Sequence, residues 1–236
     1  MSASVKTIPW RRDTLWQGCL LAAIAHAIMV ARYPESANEH SWDGMNYSVQ
    51  DSSGARGTVT FHKDYCVAAF REENRRRLTA KNKKLQDRLN YLGAAEAYFA
   101  GAPEAVVQLA RAETLQYLLD EIDGETRPCI TTTCWGSDDT FYSADNYEDF
   151  LACGGFLLAT QCQDVEAGIT FWQEAYDMSD IQLSLLRGIF ERKLEKPTEA
   201  LMLLEADICL LAEVGEELEE SRVSFGEIGM YFPDVL

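Results

Sequence analysis

Asn46-Tyr-Ser-Val-Gln50, Thr58-Val-Thr-Phe-His62 and Tyr65-Cys-Val-Ala-Ala-Phe70 are three short runs of strand-like composition that follow one another closely. In Thr58-Val59-Thr60-Phe61 polar and apolar positions alternate, the period-two pattern of a strand with one buried face. Lys63-Asp64 makes a tight connection between the second and third runs. The stretch Asp51-Ser-Ser-Gly-Ala-Arg-Gly57 makes a looser one between the first and second. The three runs predict a small antiparallel meander near residues 45–70.

On either side of the meander the helical period dominates. Upstream, Trp16, Leu20, Ile24 and Ile28 fall on successive turns of a helix expected from Asp13 to Arg32, with Pro34 beyond its end. That helix is apolar almost all round, which suits burial rather than a surface position. Arg11-Arg12 followed by the apolar run Leu15–Ala31 imitates a targeting segment, but Asp13, Gln17 and His26 interrupt it, so a buried helix is expected.

Downstream, Leu85, Leu89 and Leu92 predict a helix that Gly101-Ala-Pro103 breaks, and Pro103 suits the first turn of a second helix ending at Gly124. Residues 125–144 read as irregular or short strand. Helices are expected over Asp145–Leu158, over Val165–Tyr176 and after Ser179, which is placed to cap the third. A last helix should start at Pro197-Thr198, with Leu201, Leu204, Ile208, Leu211 and Leu218 in heptad-like spacing. The tail Val223–Phe232 is a candidate final strand. The expected fold is therefore α+β, mainly helical, with a small antiparallel β-sheet built from the meander. No internal period or low-complexity linker is visible, so residues 1–236 read as one domain. A sub-division into 1–71 (helix plus meander) and 72–236 (mainly helical) is the alternative.

The composition bears on function chiefly through charge. Thirty-eight Asp and Glu against 21 Lys and Arg leave a formal charge of −17. Such a chain repels nucleic acid and anionic membranes and speeds encounter with a basic partner. An acidic surface also serves solubility alone. Seven cysteines, an odd number with no C-x-x-C spacing, and three histidines form no zinc pattern. Several of the cysteines, Cys19 and Cys209 among them, have apolar neighbours, and the cysteines read as reduced core thiols of a cytoplasmic protein. No metal and no cofactor is expected.

Chemistry has one local candidate: His40, Asp43, Asp51, Arg56 and His62, which supply histidine, carboxylate and guanidinium within a short span. Such a set can serve as acid, base and anion clamp if it converges. Its spacing matches no catalytic motif, and Trp42-Asp43-Gly44 also makes a good turn. There is no G-x-S-x-G elbow and no P-loop. The basic cluster Arg75, Arg76, Arg77, Lys81, Lys83, Lys84 and Arg88 lacks the interleaved aromatics of a nucleic-acid surface. Two acidic regions are better candidates for contact with a protein. In the first, Trp135, Phe141 and Tyr142 accompany Asp138, Asp139, Asp145, Glu148 and Asp149. The second is the last helix, with Glu213, Glu216, Glu217 and Glu220. Aromatic anchors ringed by charge are the anatomy of binding hot spots.

The stretch His40-Ser-Trp-Asp-Gly-Met-Asn-Tyr47 through Gly54-Ala-Arg-Gly-Thr-Val-Thr-Phe61 resembles small bacterial immunity-type proteins encoded beside polymorphic toxins. The resemblance covers about a fifth of the chain, shares no catalytic motif, and carries no site residue across. It implies an acidic, cytoplasmic, compact, non-enzymatic protein that blocks a protein toxin, one often basic. Two other readings stand beside it. One is an enzyme using the His40–His62 region. The other is a regulatory or scaffold protein that pairs through the heptad-like last helix.

Overall fold

The computed structural model describes residues 5–72, 95, 97–122, 124–137, 139–214 and 218–233. The basic cluster at residues 75–88 and the expected helix at Leu85–Leu92 lie outside them, as do Asp138, Glu216 and Glu217.

The sheet is the main departure from expectation: the fold is mixed α+β rather than mainly helical. Strands β1 (Lys6–Ile8), β2 (His40–Asp43), β3 (Asn46–Gln50), β4 (Arg56–Phe61), β5 (Cys66–Arg71), β8 (Thr132–Ser137) and β9 (Thr140–Ser143) form one seven-stranded antiparallel sheet, in the order β1-β9-β8-β5-β4-β3-β2. The meander is its middle, and residues 125–144 supply two further strands. Thr131-Thr-Thr-Cys-Trp135 carries the β-branched and aromatic residues that strands favour. Its burial on both faces hides the alternation that would have marked it.

Two smaller ribbons accompany the sheet. β6 (Leu119–Ile122) and β7 (Glu125–Pro128) pair antiparallel. The expected helix to Ile122 therefore ends early: α2 covers Glu104–Ala112, and a 3-10 turn Thr114–Leu118 leads into β6. Gly124 does take positive φ, +79°, but as a hairpin turn rather than a helix cap. β10 (Leu201–Met202) and β11 (Met230–Tyr231) pair parallel. The tail thus adds one short strand beside β10, not a closing strand of the large sheet. Pro197 opens no helix, so Leu201 and Leu204 fall outside the last helices and the heptad-like stripe is broken.

The chain divides into two compact units, Met1–Leu15 with Met45–Cys162 and Trp16–Gly44 with Gln163–Leu236. In the first, the strand register defines two faces. Thr7, Tyr142, Trp135, Val67, Thr60 and Asn46 form one row across one face. Here Val67, Ala69 and Trp135 pack with Phe99, Leu115, Leu118 and Ile130, and with Val106 and Ala110, the buried i, i+4 pair of α2. On the opposite face, Trp10 meets Phe141 and Phe150 edge-on, and Phe150 meets Phe70. Phe150 belongs to α3 (Tyr147–Ala152), which Asn146 caps by accepting from Asp149 N.

The second unit is built on Trp16–Met29 of α1 (Arg12–Met29), buried without a break from Cys19 to Ala31, the polar His26 included. It also holds α4 (Val165–Ala175), α5 (Asp180–Glu195), α6 (Glu205–Val214) and α7 (Leu218–Glu227). Gly168 of α4 faces Leu21 closely, and Ser221 of α7 donates to Ala27 O at 2.6 Å. Ser179 and Gln182 complete a reciprocal capping box at α5, so the expected cap is present. Among the described residues, no helix is long and apolar enough to cross a membrane.

Candidate functional site

β8 and β9 form a hairpin whose turn lies between Ser137 and Thr140. Within it Trp135 and Tyr142 are direct cross-strand partners, so both side chains stand on the same face of the sheet. The helix α2 lies over that face but begins only at Glu104, with Gly101 and Pro103 before it. Where this cover ends, a cleft of about 290 Å³ opens, lined by Val5, Tyr65, Gly101, Pro103, Val106, Trp135, Gly136, Ser137 and Tyr142. Strand periodicity explains the lining. Tyr65 has the parity of Val67 in β5, and Val5 that of Thr7 beside β1, so both fall on the Trp135 face.

Chemically the cleft is an apolar slot with a polar margin. Tyr65, Tyr142 and Ser137 contribute hydroxyls, and its described lining holds no histidine, cysteine or carboxylate. Charge stands next to it: Asp139, 61% exposed, pairs with Arg11 at 3.1 Å. Pairs this exposed contribute little stability.

The aromatic and acidic residues singled out in the first region have diverse roles. Trp135 is a core residue, 3% exposed, packed against Phe99, and Phe141 is wholly buried. Only Tyr142, 38% exposed, has the surface access expected of an anchor. Asp145 accepts from Thr132 Oγ1 at 2.7 Å, and its own N–H donates to Ser143 Oγ. Asp149 is held by Asn146 at the start of α3, where negative charge suits the helix dipole. Glu148 in the same turn is exposed. Of the second region, Glu213 is exposed and Glu220 half-buried.

Of the alternative polar site, Asp51, Arg56 and His62 belong to the first unit and do not converge there, and His40 and Asp43 belong to the second. Asp51 folds back on its own loop, accepting from Ser53 N, Ser53 Oγ and Ala55 N. Arg56 and His62 lie at opposite ends of β4, roughly 20 Å apart at strand rise. His62 sits beside Asp64 at the β4–β5 turn, and its carbonyl accepts from Arg12. Arg56 lies near Asp120, whose carboxyl the Arg71 guanidinium, bonded to it at 2.7 Å, holds below the usual range.

In the second unit, His40 is buried against His26, ring centres 5.1 Å apart, and edge-on to Trp172 at 5.3 Å. Burial lowers the pKa of both imidazoles, that of His40 strongly, and His26 Nε2 lies 3.0 Å from Ser36 O. Asp43 lies near Glu227, whose carboxyl burial pushes upward while Trp42 N donates to it.

Among the described residues, no group of three or more His, Cys, Asp or Glu is placed to hold a metal ion. Five cysteines are buried, and burial pushes the Cys66 thiol up to about 12. Cys209, expected in the core, is exposed. Tyr65, Pro103 and Ser137 were not singled out as site residues by sequence reasoning. The parity of Tyr65 with Val67 was a signal for Tyr65 alone, and it needs the pairing of β5 with β8 to acquire meaning. No family model, curated protein or solved structure matches this chain.

Proposed function

We propose that this protein acts as an immunity-type protein, binding a bacterial toxin in the cytoplasm and occluding its active surface. The observation that carries the reading is the β8–β9 hairpin of a chain with formal charge −17. An exposed Asp139 and an accessible Tyr142 stand there beside an apolar cleft. An acidic surface steers a basic partner, and an apolar slot gives the encounter somewhere to lock. The partner is a protein toxin with a basic surface, not a nucleic acid or a membrane. No cofactor takes part. Contacts are assigned to Asp139, Tyr142 and Glu148.

The test is a growth assay with the genes that flank this one. Each neighbour is expressed alone in a susceptible bacterium and then together with this protein. A neighbour that kills alone and is silenced by co-expression supports the reading. If none is toxic, or a toxic one is not silenced, the reading fails. With the toxin in hand, Asp139→Lys with Glu148→Lys is expected to slow association about tenfold at low salt, given the salt-sensitive scale of steered encounter. An unchanged association rate would move the interface elsewhere.

A further inference from the structure

Resting on that reading, we propose that the cleft at the β8–β9 hairpin is the socket for one aromatic side chain carried on the partner's basic surface. Its size is the first argument. About 290 Å³ is at the lower limit of small-molecule sites and suits a single large side chain better than a peptide segment.

The walls are the second. Val5, Pro103, Val106 and Trp135 offer apolar and aromatic surface, while the Tyr65, Tyr142 and Ser137 hydroxyls lie in the same lining. Aromatic pairs gain from offset or edge contacts beyond simple burial. The walls are also firm. Trp135 of the sheet and Val106 of α2 belong to one buried cluster, and Tyr142 is held in the sheet between Thr7 and Trp135. A preformed socket loses little entropy on filling.

Charge is the third. Asp64 precedes Tyr65, Glu104 follows Pro103, and Asp139 lies just past Ser137; all three are exposed. The basic residues beside the lining in sequence are Lys6 and Lys63, and Arg11 and Asp139 offset each other as an ion pair, so the charges beside the lining balance. It is the net charge of −17 on the whole chain that favours an aromatic group with cationic surroundings over one with anionic surroundings.

The experiment uses the full chain and two probes of one ring and opposite charge, tryptamine and indole-3-propionate. The Trp135 indole N–H and the Ser137 and Tyr142 amides are followed by NMR. Tryptamine is expected to shift these resonances saturably, about threefold or more tighter than indole-3-propionate at low salt, with the difference shrinking as salt screens it. Ser137→Phe, which fills the slot from an exposed strand position, is expected to abolish the shifts while the thermal midpoint holds. Val5→Trp provides a second filling should Ser137→Phe lower the midpoint. Absence of saturable shifts, tighter binding of the anionic probe, or shifts that survive both fillings would overturn the proposal.

A toxin silenced by the wild-type chain separates this inference from the function it rests on. Ser137→Phe is then expected to weaken the complex at least about tenfold, the scale of losing one hot-spot anchor. An undiminished affinity would remove the socket but leave toxin neutralisation standing. Should no toxin be found, the immunity reading falls and the two-probe titration still decides what the cleft accepts.

Discussion

Gly154 shows how much one position in this fold can demand. Its φ of +124° is a conformation that side-chain-bearing residues rarely adopt, and a Cβ there would sit 2.5 Å from Phe70 Cβ. Gly154→Ala is therefore expected to lower stability by about 3 kcal/mol, combining backbone strain with overpacking. Chemical denaturation would measure it, and a loss below about 0.5 kcal/mol, the range of an ordinary surface substitution, would refute the strain argument. His26 and His40 make a second demand at this scale. Both pKa values are lowered by burial, so the unfolded chain binds protons below about pH 6.5 that the folded chain refuses. The sign follows directly: neither histidine penalises folding well above pH 6.5, and the penalty grows as pH falls below it. Urea midpoints are expected to drop between pH 7.5 and 5.5, before carboxylates titrate. His40→Leu is expected to flatten that slope, and an equal slope in the variant would sink the assignment.

At the scale of elements, α6 depends on a side chain inside its own first turn. Asp207 accepts from Leu204 N at 2.8 Å, closing the helix start, and from Arg192 of α5 at 2.6 Å. One carboxylate thus ends one helix and ties it to another in a partly buried pair. Asp207→Ala is expected to cost about 2–3 kcal/mol, a lost cap plus an uncompensated guanidinium. Asp207→Asn should keep the cap and lose less, and equal losses would show that the cap contributes nothing. The sequence made helix caps easier to read than helix lengths. Ser179 and its capping box depend on residues three apart. The end of α2 depends instead on the β6–β7 hairpin that follows it, and the loss of the expected helix at Pro197 on β11, a strand contributed from far along the chain. Local pattern cannot distinguish an apolar residue on a helix stripe from one in a strand whose partner is remote.

For the molecule as a whole, the net charge of −17 shapes any association more than any single pair does. Association with the proposed basic partner is expected to slow several-fold between 50 and 300 mM salt while the dissociation rate changes little, as in steered encounters. Stopped-flow mixing would show it, and a salt-independent rate would remove steering from the mechanism. The sequence alone determined the charge, the central meander, the buried first helix and the capped start of α5 at Ser179, because each rests on composition or on residues a few positions apart. Tertiary structure alone decided that the meander is the middle of a seven-stranded sheet, and that Trp135 and Phe141 turn inward while Tyr142 stays accessible. It alone assembled the cleft from Val5, Tyr65, Pro103 and Trp135. The reason is physical: which face a strand residue occupies, and what covers that face, depend on register with strands distant in sequence, and no local period encodes that register.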